Sequence, residues 1–146
     1  MLRVRTFYIY ISVVLLSATL CQARDLAVVV NKSNSTSSVS PAELQKLLKA
    51  ATATWPDGKK VRIFLTDPGS AENRSILQRF YEMAPADIKS KADIQIVASD
   101  EIVLTMVAGN PGAIGLVNVY SITSQVKVLK IDGKLPLEPG YPLHGN

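Results

Sequence analysis

The chain has 146 residues, 47% hydrophobic and 19% charged, with a net charge of +4. That length sets one domain as the expectation, and the composition excludes a disordered or fibrous chain. Basic residues are scattered and the nine aromatics form no stacking platform, which argues against nucleic acid as a partner.

Residues 1–23 read as a secretory signal peptide. Arg3 and Arg5 form a basic start, Phe7 to Leu20 is apolar apart from hydroxyls, and Cys21-Gln22-Ala23 ends in a small residue before Arg24-Asp25. The apolar run is short for a membrane span, which needs about 20 residues. An uncleaved anchor and lipidation at Cys21 are the alternatives. Leu20 stands where a lipid-attachment signal wants a small residue. Cleavage at Ala23 removes the only cysteine and leaves 123 of the 146 residues. Arg3 and Arg5 leave too, so the net charge falls from +4 to +2. A secreted chain without cysteine must be held by packing alone.

Leu26-Ala-Val-Val-Val30 is a continuous apolar run of strand length, the pattern of a strand buried on both faces. Residues 31–40 are polar and serine-rich, a loop. Ser40-Pro41-Ala42-Glu43 predicts a helix start with a capping box, and Leu44, Leu47 and Leu48 follow at helical spacing. Trp55-Pro-Asp-Gly58 is a turn, and Val61 to Leu65 a second strand. Asp67-Pro-Gly-Ser70 then leads into an amphipathic helix carrying Ile76, Leu77, Phe80 and Tyr81. Pro85 to Ile88 adds a short helical turn. Ile94 to Val97 is a third strand, and Ser99 caps a helix with Asp100 and Glu101 in its first turn. Gly109-Asn-Pro-Gly112 ends that helix. Ala113–Val117 and Val126–Ile131 read as two further strands, and 135–146 as an irregular tail. The alternation of strand and helix predicts an α/β sheet with helices on both faces.

Ligands in such sheets bind beyond the carboxyl ends of the strands, beside helix starts. Two loops follow that rule, 31–38 and 67–71. Gly69 would let backbone approach a ligand. The amides of Ser70, Ala71 and Glu72 and the helix dipole would favour an anion, and Arg74 would add a forked contact. The same pieces also serve as an ordinary cap, with Ser70 closing the helix and Arg74 paired to Glu72, Gln78 or solvent. Both readings stay open at this point. His144 is a lone histidine near the end, an arrangement more often solvated than catalytic. No metal-ligand spacing surrounds it. Asp100 and Glu101 point about 100° apart on a helix, so they form no acid–base pair. Asn31, Asn34 and Asn73 begin glycosylation sequons, which matter only in a host that glycosylates.

Together, "DLAVVVNKSNSTSSVSPAELQKLLKAATATWPDGKKVRIFLTDPGSAENRSILQRFYEM" and "VASDEIVLTMVAGNPGAIGLVNV" resemble the phosphate-binding periplasmic proteins of ABC transporters. The resemblance covers Asp25 to about Gly133, with Asn-Pro-Gly-Ala-Ile-Gly at 110–115 and the Trp55 turn as its most specific parts. It implies a single lobe of a periplasmic-binding-protein-like α/β fold, with a mostly parallel central sheet over residues 24–134. It also implies a phosphate or related oxyanion ligand, no enzymatic activity and no cofactor. Gly69, Ser70, Asn31 and Ser38 carry over as ligand residues, joining Ala71 and Arg74 from the loop itself. An ABC permease or an envelope sensor is the implied partner, and two chains pairing as a homodimer would complete a cleft. A ligand-free interaction module is the second reading. The family's usual Gly-Ser-Gly-Thr stands here as Asp67-Pro-Gly-Ser-Ala-Glu72, Arg74 lies downstream of it, and Leu116 replaces a usual aromatic. The segment near Lys91-Ala92-Asp93 is shorter than the family's. Glu72 would repel phosphate unless Arg74 neutralised it.

Overall fold

The computed structural model describes residues 24–49, 53–82, 84–89 and 93–145. The signal peptide expected at 1–23 lies outside the described residues, as do Lys91 and Ala92. No helix among the described residues is long and apolar enough to cross a membrane.

A five-stranded sheet forms the centre. Its strands are β1 (Leu26–Val30), β3 (Arg62–Leu65), β4 (Ile94–Ile96), β5 (Ala113–Asn118) and β6 (Lys127–Val128), in the order β4-β3-β5-β1-β6. Strands β3, β4 and β5 pair in parallel, while β1 is antiparallel to both β5 and β6. Four of the five strands therefore run one way, and β1 alone runs against them. A small parallel pair, β2 (Ser38–Val39) with β7 (Lys130–Ile131), lies outside this sheet.

Both faces of the sheet are covered, which explains why β1 is apolar at every position. Leu26, Val28 and Val30 pack with Ile63, Leu65, Ile114 and Leu116 under α1 (Pro41–Lys49), α2 (Arg74–Tyr81) and α3 (Pro85–Lys89). Ala27 and Val29 face the other way, with Phe64, Ala113 and Val117, under α4 (Asp100–Gly109). Gly115 lies on the α4 side, where an added Cβ would come within 2.6 Å of Val103 and 2.9 Å of Val107. The glycine lets the helix sit directly on the strand.

The predicted caps form. Ser40 Oγ accepts from the Glu43 amide at 3.1 Å and Glu43 returns a carboxylate to the Ser40 amide at 2.9 Å. Ser99 Oγ accepts from the Ile102 amide. The Trp55 indole donates to the Gly112 carbonyl at 2.9 Å, which ties the two turns together.

Two expectations are corrected. Val126–Ile131 is not one strand. Val126 and Val128 pack on the α4 side, Leu129 and Ile131 in the other core, and the chain changes sheets between β6 and β7. The helix expected from Ser70 begins at Arg74, after a run of turns. The tail from Leu135 carries no helix or strand, yet Tyr141 and Leu143 are buried in the larger core.

Candidate functional site: the corner after β3

The corner runs from Thr66, after β3, to Arg74 at the start of α2. Asn73, which is buried, fixes its shape. Its side-chain amide donates to the Thr66 hydroxyl at 2.9 Å and to the Asp67 carbonyl at 3.1 Å. The Ser70 carbonyl accepts from the amides of Asn73 and Arg74, and the Ser70 hydroxyl accepts from Asn73 at 3.3 Å. Ser70 is thus the capping group of this turn.

A carboxylate already sits at the glycine. Asp67 Oδ1 accepts from the Gly69 amide at 2.9 Å and meets the Lys89 ammonium of α3 at 2.9 Å. The Lys89 ammonium and then the Gly69 amide hold the Asp67 carboxyl below the usual carboxylate range, with Arg74 adding a smaller pull. Arg74 Nη2 donates to the Gly69 carbonyl at 3.0 Å. The corner therefore sets the Lys89 ammonium and the Gly69 amide on the Asp67 carboxylate, with Arg74 one peptide away on the Gly69 carbonyl. Glu72 is not neutralised by Arg74. Arg24 takes it, at 3.0 Å.

Gly69, Ser70, Ala71 and Arg74 come together here. Asn31 does not join them, and the reason is the direction of β1; Ser38 is paired instead with Lys130 of β7. Leu65 at the end of β3 is level with Leu116 of β5, and Leu26 at the beginning of β1 is level with Asn118. The end of β1, Val30, is level with Ile114, near where β3 begins. The 31–38 loop thus leaves from the opposite end of the sheet. Asn31 spends its amide on the Val107 and Ala108 carbonyls at 2.9 and 3.0 Å, and its oxygen accepts from the Ser33 amide and hydroxyl. It bolts the loop to the end of α4. Ser38 Oγ accepts from the Gly133 amide and lines a 530 Å³ cavity with Val39, Leu47 and Trp55.

The beginning of β1 takes the place assigned to Asn31. Asp25 is almost fully buried, and its carboxylate accepts from the Leu137 amide at 2.7 Å and lies 2.5 Å from His144 Nδ1. Asp100 does more than favour its helix dipole. Its Oδ2 accepts from the Asn118 amide at 3.0 Å and the Ser121 hydroxyl at 2.8 Å. Sequence reasoning missed Lys89, Asn73 and Asp25. Lys89 gives no local signal, because only the docking of α3 brings it to Asp67. No group of three or more potential metal ligands occurs among the described residues.

The fold superposes on solved structures. An ABC-type phosphate transport receptor from Vibrio cholerae superposes with a TM-score of 0.71 at 18% identity, over 84% of this chain and 54% of that one. The chain shares the fold of about half of that receptor. PstS from Borrelia burgdorferi matches at 0.69 and 17% identity, covering 84% of this chain and 55% of its own. A phosphate binding protein from Stenotrophomonas maltophilia matches at 0.60 and 16%, over 78% and 40%. The chain spans about half, or less, of the length of these phosphate-receptor folds. No protein-family profile matches the sequence, and no curated protein does.

Proposed function

We propose that this protein is a solute-binding protein of the cell envelope that holds phosphate or a related oxyanion for transport or sensing. The observation that carries the reading is the shared fold with proteins described as phosphate receptors and phosphate binders. The corner adds chemistry to it, since the Gly69 amide and Lys89 already hold one carboxylate, with Arg74 beside them on the Gly69 carbonyl. On this reading the chain performs no reaction of its own. Residues 1–23 direct it to the periplasm, and an ABC permease or an envelope sensor receives it there. Calorimetric titration of the purified protein with phosphate at low salt, with sulfate as control, tests the proposal. Saturable, phosphate-selective heat is expected, and the Ser70→Ala/Arg74→Ala double variant should bind markedly more weakly while keeping the fold, with a melting temperature lowered only by the lost cap. Equal binding by that variant rules the corner out as the site.

One observation favours a second reading, an interaction module without a ligand. The Gly69 amide, Lys89 and Arg74 are all engaged within the chain. Absence of heat at millimolar phosphate is the outcome that selects it.

A further inference from the structure

The end of the sheet opposite the Asp67 corner collects positive charge. Lys127, Val30, Ile114, Ile63 and Ile94 are level with one another across the five strands. Asn31, Ala113, Arg62 and Asp93 stand one residue beyond that row. The Arg62 amide donates to the Gly112 carbonyl at 3.3 Å, and the Trp55 indole donates to the same carbonyl. The turn from Trp55 to Lys60 therefore lies against this end. Asn31 is fixed to the end of α4 through the Val107 and Ala108 carbonyls, which places Lys32 beside it.

These strand ends and turns carry Lys32, Lys59, Lys60, Arg62 and Lys127. Lys32, Lys60 and Arg62 are exposed, and their side chains make no hydrogen bond or ion pair among the described residues. Lys127 donates to the Asn34 carbonyl at 2.7 Å, a neutral partner that leaves its charge uncompensated. Lys59 is paired with Asp57 at 3.4 Å. The other carboxylate of the same segments is Asp93, which shares a 180 Å³ hollow with Lys60 and Arg62. One sign prevails, so the complement of this end is an anionic surface.

The side chains present decide between kinds of anionic surface. Four of the five cations are lysines. Protein interfaces are depleted in lysine and centre on aromatic and other apolar side chains. None of the exposed large apolar side chains among the described residues, Ile102, Tyr120, Leu135 and Leu137, belongs to these strand ends and turns. Trp55 is buried, so no ring is offered for bases to stack on. A layer of anionic lipid headgroups needs neither an apolar centre nor a stacking ring. It is held by the charges alone, at about fivefold in affinity for each cation near the surface. We propose that this end of the sheet docks on an anionic lipid surface through Lys32, Lys60, Arg62 and Lys127. The proposal does not depend on anion binding at the Asp67 corner.

Cosedimentation of the purified protein with vesicles tests it. One set is phosphatidylcholine alone, the other phosphatidylcholine mixed with phosphatidylglycerol. Binding to the anionic vesicles well above that to the neutral ones is expected, and raising the salt from ~20 to ~500 mM should release it. Lys60→Gln/Arg62→Gln should weaken it tenfold or more at an unchanged melting temperature, since neither side chain has a partner to lose. Arg24→Gln/Arg79→Gln removes the same charge from the other end, where Arg79 meets the His144 carbonyl, and should weaken it far less. Equal losses in the two double variants overturn the proposal, because net charge alone then governs binding. Equal binding to both kinds of vesicle overturns it, and so does absence of binding to the anionic ones, even where an acidic protein or a nucleic acid binds.

Discussion

Asp67 is the residue on which the corner turns. Its carboxylate is stabilised in the charged form by Lys89 and the Gly69 amide, so its folded pKa lies below the ordinary 3.8. A group shifted down stabilises the fold above its unfolded pKa and loses that contribution as pH falls through the folded value. The melting temperature of the wild type should therefore drop more steeply than that of Asp67→Asn as pH falls below about 4. Parallel slopes would show that the Lys89 contact adds nothing in solution. The difference will be small, because the Asp67 side chain is 57% exposed and solvent screens the pair. The same substitution removes the resident negative charge and should strengthen any phosphate binding at Gly69. Gly69, Ser70 and Arg74 were legible as one corner because they are neighbours in sequence. Lys89 was not, because an ion pair 22 residues apart depends on how α3 docks.

Among the elements, local chemistry and close packing can be told apart. The capping box at Ser40 and the serine cap at Ser99 set helix starts that the structure reproduces. The 126–131 segment also carried its own signal. Val126 and Val128 alternate, and then Leu129 follows directly, so the period of two slips by one residue. Such a slip moves the apolar side chains to the other face, and here the chain changes sheets at that point. Gly115 offers the sharpest test of packing. Its missing side chain is the space that Val103, Val107 and Val29 occupy. Gly115→Val should cost about 3 kcal/mol, read by urea denaturation, from overpacking between β5 and α4. Gly109, with open space around it, is the control. Gly109→Ala should be neutral or slightly stabilising. Equal stability of the Gly115 variant would mean that α4 can move off the sheet at little cost.

At the scale of the whole molecule, the tail closes the fold. The Leu143 carbonyl accepts from the Leu26 amide at 3.0 Å, the Tyr141 hydroxyl donates to the Leu26 carbonyl at 2.7 Å, and Arg79 Nη2 donates to the His144 carbonyl. Burial and the Asp25 carboxylate together push the Tyr141 phenol up, so it stays a neutral donor. Leu143 is fully buried. Leu143→Ala should cost 2–5 kcal/mol, measured as a lower urea midpoint at unchanged slope. A midpoint equal to the wild type would make the tail an appendage. Nothing in the composition of 135–146 announces this role, since proline and glycine suggest an irregular path and say nothing about what that path covers.

By itself the sequence determined where α1 and α4 begin, the strand stretches β1, β3, β4 and β5, and that the sheet is buried on both faces. Caps, periodicity and apolar runs act over a few residues, and the chain carries them wherever it folds. Only the tertiary structure decided which way β1 runs. A strand buried on both faces is apolar at every position, and such a run reads the same in either direction. Reversing β1 sends Asn31 to the far end of the sheet and brings Asp25 and the tail to the end where the Asp67 corner opens. The composition of that end, including the buried carboxylate and the exposed Tyr120 and Leu137, follows from hydrogen bonds between segments more than 90 residues apart. Contacts of that span leave no local trace in the order of residues.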